Sequence, residues 1–374
     1  MSGVAGSNKN RIRVLCVAGA RPNFMKIAPL MREFGSRDSF ESFLVHTGQH
    51  YDAKMSDNFF RDLGIPAPDV NLGVGSGTHA EQTGQVLMKL EGVLQAERPD
   101  LVVVVGDVNS TLAATLAAVK LHIPVAHVEA GLRSGDRTMP EELNRMMTDV
   151  VSSWLFTSEP DGEKNLLREG VDPSRIHFVG NVMIDTLLAN LERAKELDTL
   201  ARLGLVSGEF GLLTLHRPSN VDDPKRLAEL FSALEKINER LPIVFPVHPR
   251  TASNIRDTLG GRPLKLQVVE PQDYLDFLRL MSQAKLVLTD SGGIQEETTV
   301  LGTPCFTLRD STERPITVSH GTNTMVGADR EVILREVGIA LDGNAKSGLI
   351  PDLWDGRAAV RIADVIERDL RAGS

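Results

Sequence analysis

The run Ile123-Pro-Val-Ala-His-Val-Glu129-Ala-Gly-Leu-Arg133 decides the fold class, because it predicts a short apolar strand that ends in a glycine-containing loop. In open α/β sheets, ligands bind beyond the carboxyl ends of the strands, which is where Glu129 would lie. A carboxylate at the end of an apolar strand loses solvation unless it is paired, and Arg133 is the nearest candidate partner in sequence. The segment therefore predicts an α/β sheet with an acidic group at its ligand-binding edge.

A second acidic pair follows in Thr138-Met-Pro-Glu141-Glu142-Leu-Asn-Arg145, which predicts the start of a helix. Thr138 and Glu141 have the spacing of a capping box, in which both side chains satisfy backbone amides at a helix start. The alternative is that Glu141 works with Glu129 in proton transfer. Both interpretations of Glu141 stay open at this point.

Length and composition favour an ordinary globular protein. A chain of 374 residues is too long for one typical core, so about two domains are expected. Hydrophobic residues make up 41% and charged residues 24%. The net charge of −9 comes without a basic block that could neutralise a nucleic-acid backbone, so we expect no nucleic-acid partner.

The two cysteines, Cys16 and Cys305, both lie in apolar, strand-like runs. This placement predicts buried thiols in a reducing compartment instead of a disulfide or metal framework. Residues 1–10 are polar and lack a signal-peptide core, and no apolar run approaches the roughly 20 residues that cross a bilayer. We therefore expect a cytoplasmic protein that does not bind membranes.

Short β-branched runs alternate with amphipathic stretches, a pattern typical of repeated βαβ units and a parallel sheet. In the first half, strands are predicted at residues 12–17, 42–46, 101–105, 124–128, 154–157 and 176–179. In the second half, they are predicted at residues 211–215, 243–247, 266–269, 286–289, 304–308 and 338–341. The pattern predicts an α/β protein with two parallel sheets of similar size.

A charge-rich helical connector is predicted at residues 184–205, which puts the domain boundary near residue 185. Residues 1–185 would form an N-terminal Rossmann-like domain and residues 186–356 a C-terminal one. A helix at about residues 357–374 would pack back onto the first domain. Two Rossmann-like halves predict a central cleft between them.

The run Thr289-Asp-Ser291-Gly292-Gly293-Ile-Gln-Glu296-Glu297 predicts a strand, a tight glycine turn and a helix. The glycines let backbone amides approach a ligand, and the helix start favours phosphate. One of the two glutamates would accept hydrogen bonds from ribose hydroxyls. The alternative is a plain strand-to-helix turn whose acidic residues stabilise the helix dipole.

Three cationic side chains are candidates for a diphosphate. Arg314 follows a predicted strand and could bind a diphosphate in bidentate fashion. Arg21 and Lys26 flank a predicted helix start in the first domain, with surface solvation as the alternative. The glycine run at residues 73–77 follows Pro- and Asp-rich residues instead of a strand, so we interpret it as a turn and not as a nicotinamide-binding fingerprint.

Seven motifs lie between about residues 14 and 364: Gly19-Ala-Arg-Pro, Gly106-Asp, Val128-Glu-Ala-Gly-Leu-Arg, Pro140-Glu-Glu, Gly180-Asn, His216-Arg and Asp290-Ser-Gly-Gly-Ile-Gln-Glu-Glu. In order and spacing, these motifs resemble those of the non-hydrolysing UDP-N-acetylglucosamine 2-epimerases. The resemblance implies a GT-B-like fold, a homodimer and interconversion of UDP-N-acetylglucosamine and UDP-N-acetylmannosamine. Because the sequence carries no credible nicotinamide-binding fingerprint, we expect no cofactor, and no metal site is predicted.

Carried over residue by residue, the resemblance implies a catalytic set of Asp107, Glu129, Glu141 and His216. It implies a second set that holds UDP: Arg21, Lys26, Gln272, Phe277, Ser291, Gly292, Gly293, Glu297 and Arg314. By this analogy Phe277 packs on the uracil. From its helical setting alone, Phe277 would be predicted to be a core residue.

The chemistry of C2 inversion explains why such residues are needed. The C2 proton of an N-acetylhexosamine is not α to a carbonyl, so removing it directly cannot give a stabilised enolate. The family resemblance implies elimination of UDP to a glycal and re-addition after proton delivery to the opposite face. That route requires donors that stabilise the departing diphosphate and carboxyl groups that transfer the proton.

The chain departs from the family pattern in three places. Asn23 stands where many members have glutamate, and Pro218 and Ser219 replace the usual Arg-Glu. Asp52 occupies a position where glutamine commonly contacts an activating second UDP-N-acetylglucosamine, so we predict weak or absent activation. These changes also leave open a UDP-diacetamido-uronic acid as the substrate.

Three rival functions would use the same nucleotide-binding residues. A GT-B glycosyltransferase needs an acceptor groove, of which the 5% aromatic content gives no sign. A hydrolysing epimerase would let water capture the intermediate. A catalytically silent nucleotide-sugar sensor would lose the carboxylates at positions 107, 129 and 141, yet all three are present.

Overall fold

A computed structural model describes residues 11–48 and 63–372, apart from the side chains of Arg21 and Arg250. The chain divides into two compact units. One unit comprises Met1–Thr186 together with Asp355–Ser374, and the other is the continuous segment Leu187–Trp354. Each unit is built around a parallel sheet, so the predicted α/β class with two parallel sheets is confirmed.

The sheet of the first unit has seven strands in the order β3-β2-β1-β4-β5-β6-β7. Their bounds are β1 Ile12–Ala18, β2 Phe40–His46, β3 Val70–Asn71, β4 Leu101–Val105, β5 Val125–Val128, β6 Trp154–Thr157 and β7 Ile176–Phe178. All six predicted strands are present, and the two-residue edge strand β3 was not predicted. The strand order reverses between β1 and β4, a point where open α/β sheets bind ligands.

Helices of the first unit begin and end close to where the periodicity changes along the chain. Among the residues that the structure describes, they are Arg21–Ser36, His79–Glu97, Asn109–Lys120, Pro140–Val151, Pro160–Arg168 and Ala358–Ala372, with a short 3-10 helix at Pro173–Arg175. Strand β4 is Leu-Val-Val-Val-Val and fully buried, because helices cover both faces of a parallel sheet. Residues 73–77 form a loop before the helix His79–Glu97, although this loop does follow a strand, β3.

The last helix of the chain is bonded to residues of the first unit. Asp185 accepts hydrogen bonds from the backbone amides of Ala358 and Ala359, at 3.0 and 2.8 Å, which caps the start of that helix. Near its other end, Trp154 Nε1 donates to Asp369 Oδ2 at 2.9 Å. Burial raises the pKa of Asp185 to about 6, although the two amides lower it.

The sheet of the second unit has six strands in the order β10-β9-β8-β11-β12-β13. Their bounds are β8 Gly211–Thr214, β9 Ile243–Pro246, β10 Gln267–Val269, β11 Leu286–Thr289, β12 Cys305–Thr307 and β13 Asn323–Met325. Here the order reverses between β8 and β11. Five of the six predicted strands are present.

The strand predicted at residues 338–341 is wrong, because that segment ends the helix Arg330–Ile339 and continues into the π-helical turn Ala340–Asn344. Asp329 caps the helix by accepting the amides of Glu331 and Val332. Ile333, Val337 and Ala340 have helical spacing and are buried in the core of this unit. The sixth strand is instead Asn323–Met325.

The remaining helices link or cover the strands of the second unit. They are Thr199–Arg202, Pro218–Val221, Pro224–Asn238, Pro249–Thr258, Tyr274–Gln283, Gly292–Leu301 and Pro315–Ser319. The connector predicted at residues 184–205 is helical, as Val182–Lys195 and Thr199–Arg202. Within residues 11–48 and 63–372, no helix combines the length and apolar character needed to span a bilayer.

The two cysteines are free, buried thiols, as predicted. Burial raises the pKa of both Cys16 and Cys305 to about 12.

Candidate active site

Glu129 lies directly after β5 in an unusual backbone conformation. Its φ is +72°, a left-handed value that costs a non-glycine residue roughly 1–2 kcal/mol. The backbone amides of Glu129 and Ala130 both donate to the carbonyl of Phe156, each at 3.0 Å, and hold this turn in place. The side chain is only 6% exposed. Strain at a buried carboxyl group that follows a strand is a mark of a functional position.

The charge partner of Glu129 is Lys26, which is also buried and donates to Glu129 Oε2. The prediction that Arg133 pairs with Glu129 is wrong. Arg133 instead pairs with Asp149 at 2.8 Å and with Glu169 at 2.7 Å, because the chain turns sharply between residues 129 and 133. Surface solvation of Lys26, the alternative interpretation, is also wrong.

Gly106 brings backbone close to this ion pair. Its φ is +64°, and a Cβ atom there would lie 2.9 Å from Lys26 Nζ and 3.5 Å from Glu129 Oε2. Next to it, Asn23 Nδ2 donates to the carbonyl of Val105 at 3.0 Å, and Asn23 Oδ1 accepts the amide of Ala20 at 3.0 Å. An ionised glutamate at position 23 could not donate to that carbonyl.

Asp107 follows β4 and is partly exposed, with its carboxylate 2.6 Å from Arg145 Nη1. The same guanidinium contacts Glu142 at 2.6 Å. Glu142 also accepts the amides of Ser134 and Gly135, at 2.9 and 3.0 Å. Burial would raise the pKa of Glu142, but these donors outweigh burial and lower it. Glu142 therefore organises the loop, and its neighbour Glu141 is the more accessible of the two.

Glu141 lies in the first turn of the helix Pro140–Val151. The capping box predicted for Thr138 and Glu141 is wrong, because Met139 is the N-cap and no side chain caps the helix there. The Thr138 hydroxyl donates instead to Asp136 Oδ1 at 2.6 Å. The structural explanation for Glu141 is thus removed, and the proposal of a chemical role stays.

In the second unit, Ser291 is the N-cap of the helix Gly292–Leu301. Its amide donates to Thr289 Oγ1 at 2.9 Å. A Cβ atom at Gly292 would lie 2.7 Å from Arg314 Nη1 and 2.8 Å from Glu313 Oε1, so a side chain there would displace this ion pair. Arg314 is therefore packed directly against the glycine-lined helix start.

The guanidinium of Arg314 is held by two carboxylates. Its Nε lies 2.8 Å from Glu296 Oε1, and its Nη1 donates to Glu313 Oε1 at 2.5 Å. Arg309 donates to the other oxygen of Glu313 at 2.7 Å. Burial opposes ionisation of Glu313, but the two guanidinium groups hold its pKa well below the usual range. Arg314 is thus pre-positioned beside the helix start where we predicted phosphate.

Glu297 is buried with a neutral partner, since the Tyr274 hydroxyl donates to its Oε1 at 3.1 Å. Burial raises the pKa of Glu297 to about 8, the hydrogen bond from Tyr274 lowers it, and nearby Glu296 raises it further. At neutral pH Glu297 is therefore largely a protonated acid. Such a group can both donate to and accept from a diol.

His216 and Asp290 form a pair after β8 and β11. His216 Nδ1 lies 2.9 Å from Asp290 Oδ1, and the imidazole is 62% exposed. Asp290 also accepts the amide of Arg217 at 3.0 Å and Asn220 Nδ2 at 3.1 Å. Burial raises the pKa of Asp290, but the His216 side chain and the backbone amides of Arg217 and His216 lower it overall. The carboxylate thus holds a largely exposed imidazole through its Nδ1.

Phe277 and Gln272 belong to the segment that begins the helix Tyr274–Gln283. Phe277 is half-buried and lies outside the buried set of that helix, so the prediction that it is a core residue is wrong. Gln272 Nε2 donates to the carbonyl of Glu270 at 2.7 Å. Arg21 begins its helix, but its side chain lies outside the described atoms. Asp52 also lies outside the described residues.

Several functional candidates were missed from the sequence. His127, Asp149 and Glu313 are buried and charged or hydrogen-bonded close to the site residues. The one usable signal was a polar residue at position 127 inside the apolar strand β5. The role of Asp290 was missed because its partner is 74 residues away in sequence.

The fold and site define a class: a two-sheet α/β enzyme with buried carboxyl groups and a glycine-lined helix start at the carboxyl ends of its strands. The family model for UDP-N-acetylglucosamine 2-epimerase matches residues 32–367. The chain therefore belongs to the UDP-N-acetylglucosamine 2-epimerase family, a family of isomerases, as the resemblance predicted.

Three relatives illustrate the similarity. The chain is 43% identical over 356 residues to the UDP-N-acetylglucosamine 2-epimerase of Methanocaldococcus jannaschii, covering 90% of this chain and 97% of that one. It is 42% identical over 367 residues to UDP-2,3-diacetamido-2,3-dideoxy-D-glucuronate 2-epimerase of Pseudomonas aeruginosa, covering 96% and 100%. The crystal structure of the M. jannaschii UDP-GlcNAc 2-epimerase with UDP-GlcNAc and UDP matches with a TM-score of 0.86 and 42% identity, over 95% and 99% of the two chains.

Proposed function

We propose that this protein inverts C2 of UDP-N-acetylglucosamine to give UDP-N-acetylmannosamine. The observation that carries the proposal is the buried ion pair of Lys26 and Glu129, in which Glu129 has a strained backbone. Full-length similarity to relatives named for this activity supports the same conclusion. No cofactor or metal is part of the proposal.

The proposed reaction is elimination followed by re-addition. A carboxylate removes the C2 proton, the C2–H electron pair forms the C1–C2 double bond, and the C1–O bond breaks with its electrons going to UDP. The UDP oxygen then attacks C1 while an acid delivers a proton to the opposite face of C2. The overall step is redox-neutral. We assign the proton transfers to Asp107, Glu129 and Glu141, with His216 assisting.

The assignment of the proton-transfer roles rests on the surroundings of each carboxyl group. Asp107 faces the cation of Arg145 while partly exposed, and buried Glu129 faces Lys26, which compensates the negative charge of a base held out of water. Glu141 has neither the capping role nor the burial of its neighbour Glu142.

The proposed UDP-binding roles rest on the second unit. The helix start at Ser291, Gly292 and Gly293 would bind the diphosphate with Arg314, since amides and a fixed guanidinium stabilise developing phosphate charge. Protonated Glu297 would bind the ribose hydroxyls, and half-buried Phe277 would pack on the uracil near Gln272. Arg21 and Lys26 complete the proposed set.

A UDP-diacetamido-uronic acid is the second candidate substrate. The chain is as similar to the P. aeruginosa diacetamido-glucuronate 2-epimerase as to the M. jannaschii enzyme. Asn23 also supports the diacetamido-uronic acid as a candidate substrate, because many members of the family have glutamate at this position.

The decisive experiment is incubation with each UDP sugar in D2O, followed by NMR at C2. Deuterium at C2 with UDP still attached supports the epimerase. Release of free sugar and UDP would indicate a hydrolysing enzyme instead. Absence of exchange with both sugars would contradict the proposal and favour a transferase or a sensor.

We also propose a homodimer. Four large apolar side chains on the helix Pro140–Val151 are exposed along one face: Leu143, Met147, Val150 and Val151. A second copy would bury this stripe. Light scattering should give a dimer mass for the protein and a monomer mass for the variant Met147→Glu with Val150→Lys. The control Leu349→Glu changes an exposed apolar side chain of the other unit and should stay dimeric.

Two further predictions complete the proposal. A cytoplasmic, reducing location is supported by the two buried free thiols. Weak or absent activation by UDP-N-acetylglucosamine stays a prediction based on Asp52, and strongly cooperative rates in a substrate titration would refute it.

A further inference from the structure

His127 lies in the middle of β5 and is fully buried, yet both of its ring nitrogens are hydrogen-bonded. Nδ1 lies 2.6 Å from Asp149 Oδ1, and Nε2 lies 2.8 Å from the carbonyl oxygen of Gly106. The Gly106 oxygen can only accept a hydrogen bond. A neutral imidazole has one N–H group and cannot donate to both partners.

The other charges around His127 favour a ring that donates from both nitrogens. Independently of His127, Asp149 Oδ2 lies 2.8 Å from an Arg133 nitrogen and accepts the amide of Gly131 at 3.1 Å, so Asp149 is a carboxylate although burial opposes its ionisation. Arg133 pairs with Asp149 and with Glu169, and Arg175 donates to the backbone carbonyl of Asp149 at 3.2 Å. An imidazolium at position 127 makes the chain of side chains His127, Asp149, Arg133 and Glu169 neutral in total.

This chain of charges fixes the backbone on both sides of Glu129. Asp149 Oδ1 contacts His127, two residues before Glu129, and Asp149 Oδ2 accepts the amide of Gly131, two residues after it, at 3.1 Å. One carboxylate thereby braces the strained turn from both ends. This bracing offsets the cost of the positive φ at Glu129.

The same pair also reaches the loop that carries Asp107. His127 Nε2 holds the carbonyl of Gly106, the residue directly before Asp107. The amide of Gly106 donates to the carbonyl of Val128 at 3.1 Å, which ties this loop to the end of β5 a second time. His127 therefore connects the two loops that bear Glu129 and Asp107.

We propose that His127, as a buried imidazolium paired with Asp149, is a positioning residue that sets the places of Glu129 and Asp107 for proton transfer. The reaction in this statement is the proposed C2 epimerisation, on which the inference rests. His127 itself does not touch the substrate. Misplacing a reacting group by about 1 Å costs roughly a hundredfold in rate, which sets the size of the expected effect.

The protonation of His127 is tested without substrate. The protein is labelled with 15N-histidine, and the signals of His127 are assigned by their loss in His127→Gln. Two protonated ring nitrogens at neutral pH are expected. One protonated and one unprotonated nitrogen would overturn the imidazolium, whether or not the enzyme is an epimerase.

The positioning role is tested with two neutral replacements. Asparagine at 127 retains a donor near the place of Nδ1, and glutamine retains one near the place of Nε2. We expect both His127→Asn and His127→Gln to lower the rate of C2 deuterium exchange at saturating substrate by about a hundredfold. The Kd for UDP, measured by calorimetry, should change less than twofold.

The matched control is His177→Gln. His177 lies on the nearby strand β7 and is partly buried, but among the described residues its Nε2 has no hydrogen-bond partner. Exchange by this variant should stay within twofold of the unchanged protein. An equal loss in the control would overturn the specific role of His127.

The outcomes separate this inference from the proposed function. If the unchanged protein does not exchange C2, the proposed function fails. If it exchanges and the His127 variants exchange equally fast, the positioning role fails alone. Should the His127 variants not fold, Asp149→Asn gives the second test, because it keeps the size of the side chain while removing its charge. Asp149→Asn must slow exchange with UDP binding retained, and an undiminished rate would overturn the proposal.

Discussion

Glu129 of the first unit and Glu297 of the second are both buried carboxyl groups, but the charges around them are opposite. Glu129 faces the ammonium of Lys26. Glu297 accepts a hydrogen bond from the Tyr274 hydroxyl and lies near a second carboxylate, Glu296, and burial raises its pKa to about 8. The protein thus places the same side chain in two states: a compensated anion suited to accepting a proton, and a neutral acid suited to binding hydroxyls.

The variant Glu129→Gln tests this comparison most severely, because it removes the carboxylate that is suited to accepting a proton. We expect the turnover of C2 exchange to fall about a thousandfold, because a general base is removed from the proposed reaction. The Kd for UDP should change little, since the proposed UDP contacts lie mostly in the other unit. A loss below tenfold would contradict a catalytic role for Glu129. The control Glu209→Gln changes an exposed glutamate and should leave turnover unchanged.

The variant Glu297→Gln tests whether Glu297 is protonated in the folded protein, through the pH dependence of the free energy of unfolding. The folded protein holds a proton on Glu297 up to about pH 8, whereas the unfolded chain releases it near 4.5. The contribution of this group to stability is therefore fully present below about pH 4.5 and is lost as pH rises through 8, by about 4 kcal/mol between pH 5 and pH 9. Glutamine does not ionise, so we expect the variant to gain stability over the original protein as pH rises.

The measurement for Glu297→Gln is denaturant unfolding at several pH values. The control is Glu296→Gln, one residue away, whose carboxylate pairs with Arg314 and which should destabilise the protein at every pH in this range. A stability difference for Glu297→Gln that does not depend on pH would show that Glu297 is ionised in the folded protein.

Phe277→Leu separates binding from catalysis. If Phe277 stacks on a base, leucine should raise KM about tenfold and leave kcat unchanged, since stacking contributes about 1–3 kcal/mol. Steady-state kinetics with the UDP sugar measures both values. A fall in kcat at constant KM would place Phe277 outside the nucleotide site. The control Phe43→Leu changes a partly buried phenylalanine of the first unit and should leave both KM and kcat unchanged.

The variant Gly106→Ala is expected to have the smallest effect of the four on the properties measured. We expect a loss of about 1–2 kcal/mol in unfolding free energy from the positive φ, together with slower exchange because the new methyl group displaces Lys26. Gly170→Ala is matched, because Gly170 has a φ of +84° with nothing within 4 Å of its Cβ position. Equal activity of the two variants would show that the approach of Gly106 to Lys26 has no part in turnover.

Sequence patterns predicted most of the fold because alternation of apolar strands and amphipathic helices is a local signal. The failures lie where tertiary contacts decided the structure. The apolar run at residues 338–341 is short enough to be compatible with either a strand or a helix. The packing of Ile333 and Val337 in the core stabilises the helix. Strand β13 was missed because Asn323 is polar and is satisfied by distant partners such as Thr307.

The site was predicted less completely, because ion pairing is a tertiary property. Sequence proximity suggested Arg133 for Glu129, while the structure supplies Lys26 from 103 residues away. Thr138, the threonine of the expected capping box, instead donates its hydroxyl to Asp136, two residues earlier in the chain. His127 carried a weak signal as a polar residue in an apolar strand, but its partner Asp149 could only be found in three dimensions.

The discontinuity of the first unit has a consequence for biosynthesis. The second unit, Leu187–Trp354, is one uninterrupted segment, whereas the first needs the helix Ala358–Ala372 that Asp185 caps. During translation the middle of the chain can therefore fold before the beginning is complete, which reverses the usual N-terminal-first order. Until the helix Ala358–Ala372 has been synthesised, the apolar surface that its buried residues Ile362 and Ile366 cover stays open to solvent.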